Sequence, residues 1–368
     1  MCRQWSDVLK IVVGMSGGVD SSVAALLLKE QGHDVTGVFM NNWEETDENG
    51  VCTSERDWED VRAVCDDIGI PYYSVNFARQ YQARVFSYFL QEYRAGRTPN
   101  PDVLCNREIK FAEFLDFALK LGAQKLATGH FAGIEERADG YHLLCAKDAQ
   151  KDQTYFLCLL GQHALSHALF PLANLTKSEV REIARRRGLP VSEKKDSTGV
   201  CFIGERNFKP FLMQYLPAQP GPIVDVSGTE LGRHDGLMYY TLGQRRGLGI
   251  GGGGDGRRWF VVEKDLANNC LVVEQGEDSP RLYSMGARVS QAHWVLRPAT
   301  PPFACQVRLR HRQPLQAVTL LPGNTEGEWL LRFAAPQRAV TPGQFAAFYF
   351  QGECLGGATI EEALSQAP

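Results

Sequence analysis

A chain of 368 residues leaves room for roughly two to three domains and a substantial buried core, and a make-up of 44% hydrophobic and 22% charged residues is that of a soluble globular protein. No run of eighteen apolar residues is present, which excludes a membrane-spanning helix, residues Met1 to Asp7 form no apolar signal region, and ten cysteines without a small stapled scaffold point to free thiols in the cytosol. The net charge of −4 is uneven: residues 1–60 hold four Lys/Arg against twelve Asp/Glu, a balance of −8 that leaves +4 for the rest, so an acidic total does not exclude a local basic surface for nucleic acid.

The first apolar run, Val8 to Val13, is rich in β-branched residues and predicts a buried strand. Val23 to Glu30 is rich in helix formers and stops before Gly32. Between them Gly14-Met15-Ser16-Gly17-Gly18-Val19-Asp20-Ser21-Ser22 makes a strand-to-helix turn, with Asp20 and Ser21 as natural caps. Gly17 and Gly18 permit a sharp turn and a close backbone approach, and the first N–H groups of the helix then favour an anion. Asp20, acceptor-only when ionised, suits a magnesium ion beside phosphates better than the phosphates themselves. The loop lacks the Lys of a Walker A motif. Its Ser16-to-Ser21 string resembles the signature of the PP-loop ATP pyrophosphatases, which implies cleavage of ATP between the α and β phosphates and transfer of adenylate to a substrate oxygen.

Val35 to Met40 predicts a second strand, completing a βαβ unit with a parallel sheet and placing Met40 at a strand end where nucleotides bind. Asn41 to Asp57 reads as an acidic loop, Asp57 to Ile68 as a helix, Tyr72 to Phe77 as a strand, and Gln80 to Tyr93 as an amphipathic helix whose aromatic residues belong to the core. Pro99 and Pro101 delay the next helix to Asp102, its expected cap. Cys105 then falls in the first turn near Arg107 and Lys110, where a thiol has a lowered pKa; the alternative is a buried, inert cysteine, which the polar neighbours argue against. Lys125 to Thr128 predicts a strand ending at Gly129-His130. Thr176 and Glu179 form a capping box for a helix rich in arginine, either a solvated face or one turned toward phosphates. Lys194 to Arg206 is a loop rich in small residues around Cys201, a placement that suits a group travelling between two partners.

Beyond Arg206 the pattern changes to short β runs. Leu216 to Pro222 reads as a hinge, Gly249 to Gly254 as a loop rather than a dinucleotide site, and the chain from Tyr283 onward as a small antiparallel barrel in which Arg308, Arg310 and Arg312 share one strand face. The expected fold is α/β: a parallel-sheet PP-loop domain over residues 1–206, a small β-rich central domain over 207–282, and a C-terminal antiparallel β-barrel over 283–368. No Cys-x-x-Cys is present, and His163 with His167 lacks the Glu of a zinc protease, so no metal site of the protein's own is expected.

The strings GMSGGVDSS, NWEE at Asn42 to Glu45, AGRTPNPDVLCN, ATGH, KDQTYFL, KKDSTGVCFIGER, LPAQPG, TLGQRRGLGIGG and VTPGQ run along nearly the whole chain, which resembles the tRNA-specific 2-thiouridylases. The resemblance implies replacement of O2 of the wobble uridine of lysine, glutamate and glutamine tRNAs by sulfur, with ATP and magnesium, and with a sulfur-carrier protein or cysteine desulfurase as persulfide donor. Cys105 would be the catalytic cysteine, Cys201 the persulfide carrier, and Asp102 an acid or base beside a target base held by Asn100, Pro101 and Asp102. A disulfide between the two cysteines would form as the sulfur is released. ATP would lie on Gly14, Met15, Ser16, Gly17, Gly18, Val19, Asp20, Ser21, Met40 and Gly129. RNA contacts would come from His130, Lys151, Asp152, Gln153, Arg310, His311 and Gln344. Phe131 and His311 stand where the family commonly has Tyr. Other readings are an amidating PP-loop ligase, which would need an ammonia source and neither cysteine, and a non-catalytic RNA-binding protein with a disulfide switch.

Overall fold

The apolar run at the start of the chain pairs from Lys10 onward, forming β1 (Lys10–Met15) beside the parallel β2 (Asp34–Asn41), with α1 (Val19–Glu30) as the crossover. The computed structural model describes residues 8–43, 53–196, 208–217, 219–251, 254–297, 301–325 and 327–368. The sheet is five-stranded and parallel, in the order β3 (Tyr72–Asn76), β2, β1, β4 (Lys125–Thr128) and the short strand Ala168–Leu169. Strand order therefore reverses between β1 and β4. In such sheets the crevice beyond the carboxyl ends of those two strands is where ligands bind. Alternation along β1 sends Ile11, Val13 and Met15 to one core with Val35, Phe39, Val61 and Val64, and Val12 to the other with Val38, Phe114 and Leu126.

The helix α2 (Thr53–Ile68) begins four residues before the expected Asp57, so the end of the acidic stretch is helical. The helical run Ala78–Arg94 contains a wider turn at Gln82–Phe86, and its Tyr81, Phe86, Phe89 and Tyr93 are all buried, as expected of core. The next run starts at Pro101 rather than Asp102. Asn100 is its cap, with Oδ1 accepting from the Asp102 N–H at 3.2 Å, and Pro101 occupies the first position, where no donor is needed. It continues to Lys120 through a wide-turn stretch at Cys105–Glu113, a helical form that recurs at functional sites.

The central unit is a four-stranded sheet in the order Trp259–Asp265, Cys270–Gln275, Gly221–Asp225, Glu230–His234. The barrel closes six antiparallel strands: Tyr283–Trp294, Trp329–Arg338, Gln316–Pro322, Phe303–Arg308, Phe345–Phe350 and Glu353–Leu364, the last pairing back to the first. The hairpin Gly133–Leu144 of the first domain adds to the barrel's edge, with Leu143 opposite Cys354. The expectation of three arginines on one strand face is corrected here. The strand ends at Arg308, and Arg310 and Arg312 lie in the following turn, Arg312 with φ of 69°.

Candidate functional site

The turn after β1 is built as its composition dictates. Gly17 has φ of 71°, and a Cβ there would lie 2.7 Å from the Asp57 carbonyl oxygen, so only glycine fits. Gly18 occupies the cap position of α1 with no side-chain cap. The expected capping by Asp20 and Ser21 does not occur. Ser21 and Ser22 instead donate back to the Gly18 carbonyl at 3.2 and 2.8 Å, and the Ser16 N–H donates to Ser21 Oγ at 3.1 Å. The hydroxyls thus stiffen the loop and leave the first N–H groups of α1 without a side-chain acceptor, a ready anion site. Gly129, at the end of β4, lies against this turn so closely that a Cβ would sit 2.6 Å from Ser21 N. Met40 is half-buried at the end of β2.

Asp20 points at a cation that the sequence does not advertise. Lys177 Nζ is 2.6 Å from Asp20 Oδ1 and 2.8 Å from Asp196 Oδ1, and Asp196 also takes Lys151 at 2.7 Å and Arg181 at 2.6 Å. Burial raises the pKa of Asp20 against the pull of Lys177. For Asp196, burial works upward too, but the contacts with Lys151 and Lys177 outweigh it and hold the carboxyl well below its usual range. The capping box of Thr176 and Glu179 forms as expected and fixes the helix Lys177–Arg186 that carries Lys177 and Arg181 inward. Its outer arginines are ordinary surface charges: Arg185 pairs with Glu193, and Arg187 just beyond the helix pairs with Glu30. Lys177 escaped the sequence reading because it stands 157 residues from Asp20; the capping box beside it was the only local signal. One carboxylate beside a phosphate cradle is a donor set that fits magnesium carried in with a nucleotide, which takes few protein ligands. Among the described residues no cluster of three or more His, Cys, Asp or Glu forms a metal cage of its own.

Asp102 and Cys105 stand three residues apart on the helical run that starts at Pro101, hence on one face. Cys105 is 1% exposed and packed in the core, contrary to the expectation that its polar neighbours keep it out; Asn106 and Ile109 are buried beside it. Cys201, and with it the flanking loop to Arg206, lies outside the described residues, as do Glu44 and Glu45. Burial pushes the thiols of Cys65, Cys158 and Cys305 up to about 12 and that of Cys145 to about 11, which disfavours their thiolates.

The residues that the resemblance assigns to RNA are mostly engaged within the protein. His130 is 8% exposed, bonded to Thr128 Oγ1 at 2.7 Å and packed against Phe111 and Phe170; burial, with Lys110 nearby, lowers its pKa and keeps it neutral. Asp152 is buried, accepting from the Ala146 N–H, the Thr154 hydroxyl and Arg308 Nη1 at 2.8, 2.5 and 3.1 Å. Gln153 accepts from the Phe131 N–H at 2.9 Å. Gln344 donates to the Thr98 carbonyl at 2.7 Å. Arg310 donates to the Ala339 carbonyl and the Thr341 hydroxyl at 2.6 and 2.9 Å. His311 packs on Phe156 with ring centroids 4.4 Å apart, and burial, followed by Arg312, lowers its pKa. Lys151 joins the charge network at the nucleotide loop instead. Of these bonds, Arg308 to Asp152 and Gln344 to Thr98 join the barrel to the first domain, and Arg97 adds a pair with Glu361 while also holding Glu92.

Comparison with known proteins adds the family. Residues 9–205 match the model described as the tRNA methyl transferase HUP domain, 209–275 the tRNA methyl transferase PRC-barrel domain, and 284–360 the aminomethyltransferase beta-barrel domain. A tRNA-specific 2-thiouridylase MnmA from Alkaliphilus oremlandii is 59% identical over 358 residues, covering 96% of this chain and 98% of that protein. The proteins of the same name from Halalkalibacterium halodurans and Streptococcus sanguinis are each 57% identical, covering 97% and 96% of this chain and 96% of each relative.

Proposed function

The chain belongs to the tRNA-specific 2-thiouridylases, a family of tRNA sulfurtransferases, and we propose that it thiolates the wobble uridine in two stages, adenylation followed by sulfur transfer. A carbonyl oxygen is a poor leaving group. The uridine O2 therefore attacks the α phosphorus of ATP, pyrophosphate departs into the cradle of Ser16, Gly17, Gly18 and the start of α1, and C2 becomes electrophilic. Magnesium bound with the nucleotide would supply charge neutralisation, and Asp20 would hold it. Lys177, released from Asp20, turns its ammonium to the phosphates. Asp102 moves the proton at the target base.

Sulfur then comes from a persulfide on Cys201. The Cys105 thiolate attacks the inner sulfur, the S–S electron pair leaves with the terminal sulfur as hydrosulfide, and that sulfur adds to C2 as AMP departs with the original oxygen. The Cys105–Cys201 disulfide left behind is reduced by an external thiol before the next turnover. A cysteine desulfurase or sulfur carrier loads Cys201, and the cytoplasm is the compartment proposed for the reaction. The reading rests on the presence, in one chain, of a PP-loop cradle flanked by the Asp20–Lys177 pair and of Asp102 and Cys105 on one helical face.

The test is intact-protein and peptide mass spectrometry after incubation with a desulfurase system. Cys201→Ser should carry no persulfide. Cys105→Ser should load normally and fail to thiolate. Sulfur on Cys105 and never on Cys201 would overturn the division of labour.

A further inference from the structure

Asn106 is 2% exposed, and its amide is half satisfied: Nδ2 donates to the Phe156 carbonyl at 3.1 Å, while Oδ1 is buried with no hydrogen-bond partner among the described residues. A buried acceptor left open is uncommon enough to need an explanation. Reversing the amide would set oxygen against the Phe156 carbonyl, so the open atom is the acceptor. Asn106 follows Cys105 directly and stands four residues after Asp102, which puts Asp102, Cys105 and Asn106 on one helical face at i, i+3 and i+4. Phe156, whose carbonyl fixes the amide, also packs its ring at a tilt against His311, and His311 Nε2 is a second buried polar atom without a hydrogen-bond partner among the described residues. Phe156 and His311 are both half-buried, so this ring pair forms the outer side of the group.

From this we infer that Asn106 reads the target base, its Oδ1 accepting the N3–H of the uracil while Phe156 and His311 lie against the ring. This deepens the proposed thiolation and rests on it. An enzyme working on a base takes it out of the stack and reads its pairing edge between aromatic side chains. Uracil presents N3–H as the only donor on that edge, flanked by O2 and O4. Cytosine presents a lone pair at N3, which would face the Asn106 oxygen. An acceptor at this position therefore admits uracil and rejects cytosine. A site built to pair one polar atom discriminates strongly against an analogue that lacks the partner.

The experiment compares binding of anticodon stem-loops carrying uridine, 3-methyluridine or cytidine at the wobble position, with wild type, Asn106→Ala and the similar-sized Asn106→Leu. Wild type should bind the uridine loop about tenfold or more tighter than either analogue. Asn106→Ala should bring these ratios to within about threefold of unity, and Asn106→Leu guards against a cavity that unfolds the Ala variant. As a second readout without any variant, the imino proton of a ¹⁵N3-labelled wobble uridine should become protected from exchange on binding wild type. Equal ratios in wild type and variants, or an imino proton that stays in fast exchange, would overturn the inference. Discrimination that vanishes in the variants while wild type makes no 2-thiouridine would uphold the base contact and refute the proposed reaction instead.

Discussion

Asp20 and Asp152 are each held by a cation far along the chain, Lys177 at 157 residues' distance and Arg308 at 156. Yet the side chain of Asp20 is 34% exposed and that of Asp152 only 2%. On the proposed reading the first pair sits at the mouth of a phosphate cradle; it shares its lysine with Asp196. The second is sealed between a loop of the first domain and a barrel strand, with the carboxylate also accepting from the Ala146 N–H and the Thr154 hydroxyl. An ion pair at a mouth is machinery, whereas one in the interior sets how two domains are held. The same chemistry thus serves different ends according to solvent access.

Breaking the sealed pair should give the largest effect. Arg308→Met leaves an uncompensated buried carboxylate and should cost about 3–5 kcal/mol of unfolding free energy in urea titrations. The double variant Arg308→Met/Asp152→Leu should recover most of it, since a buried pair is often no better than an apolar replacement. Equal losses in the single and double variants would mean that the charges do not act as a pair. Lys177→Met at the mouth should lower ATP turnover by about 10²–10³-fold, the cost of losing one preorganised charge, with little change in the urea midpoint. A loss of stability to match would make Lys177 structural and erase the contrast.

How legible these two regions were in the sequence differs for the same reason. The phosphate turn is local: Gly17, Gly18 and the serines act within nine residues, so spacing alone predicted strand, cradle and helix. Only the capping detail changed, because Ser21 and Ser22 bond back to Gly18. The joint is non-local. Nothing near Asp152 or Gln344 announces Arg308 or Thr98, and polar residue types alone do not reveal which of them the fold buries. The polar neighbours of Cys105 suggest an outward face, but the run from Pro101 packs it in the core, and residue types alone do not say which face the fold buries. Arg310 and Arg312 were placed on a strand that ends at Arg308, since alternation in sequence does not mark where pairing stops.

Two finer changes sharpen the comparison. Gln344→Leu removes one bond across the joint and leaves the Thr98 carbonyl without that donor, which should cost about 1 kcal/mol and leave ATP turnover intact. At the barrel's edge, His142 lies between Asp139 at 3.0 Å and Glu353 at 2.8 Å. Burial pulls its pKa down, but the two carboxylates outweigh it and raise the value above 6.5. A raised folded pKa means that this stabilisation is complete below the unfolded value and is lost as pH rises through the folded one. Wild type should therefore lose its advantage over His142→Gln between about pH 6 and 8, by about 1 kcal/mol or less. A difference in melting temperature that is constant with pH would show that the imidazole is not charged there.

The most direct measurement is nucleoside mass analysis of tRNA after incubation with the protein, ATP, magnesium and a persulfide-generating desulfurase, with the nucleotide products followed in parallel. The account predicts one 2-thiouridine at the wobble position for each ATP split to AMP and pyrophosphate, and both products lowered together with Lys177→Met. Release of ADP and phosphate, or tRNA that gains no sulfur while ATP is consumed, would contradict it.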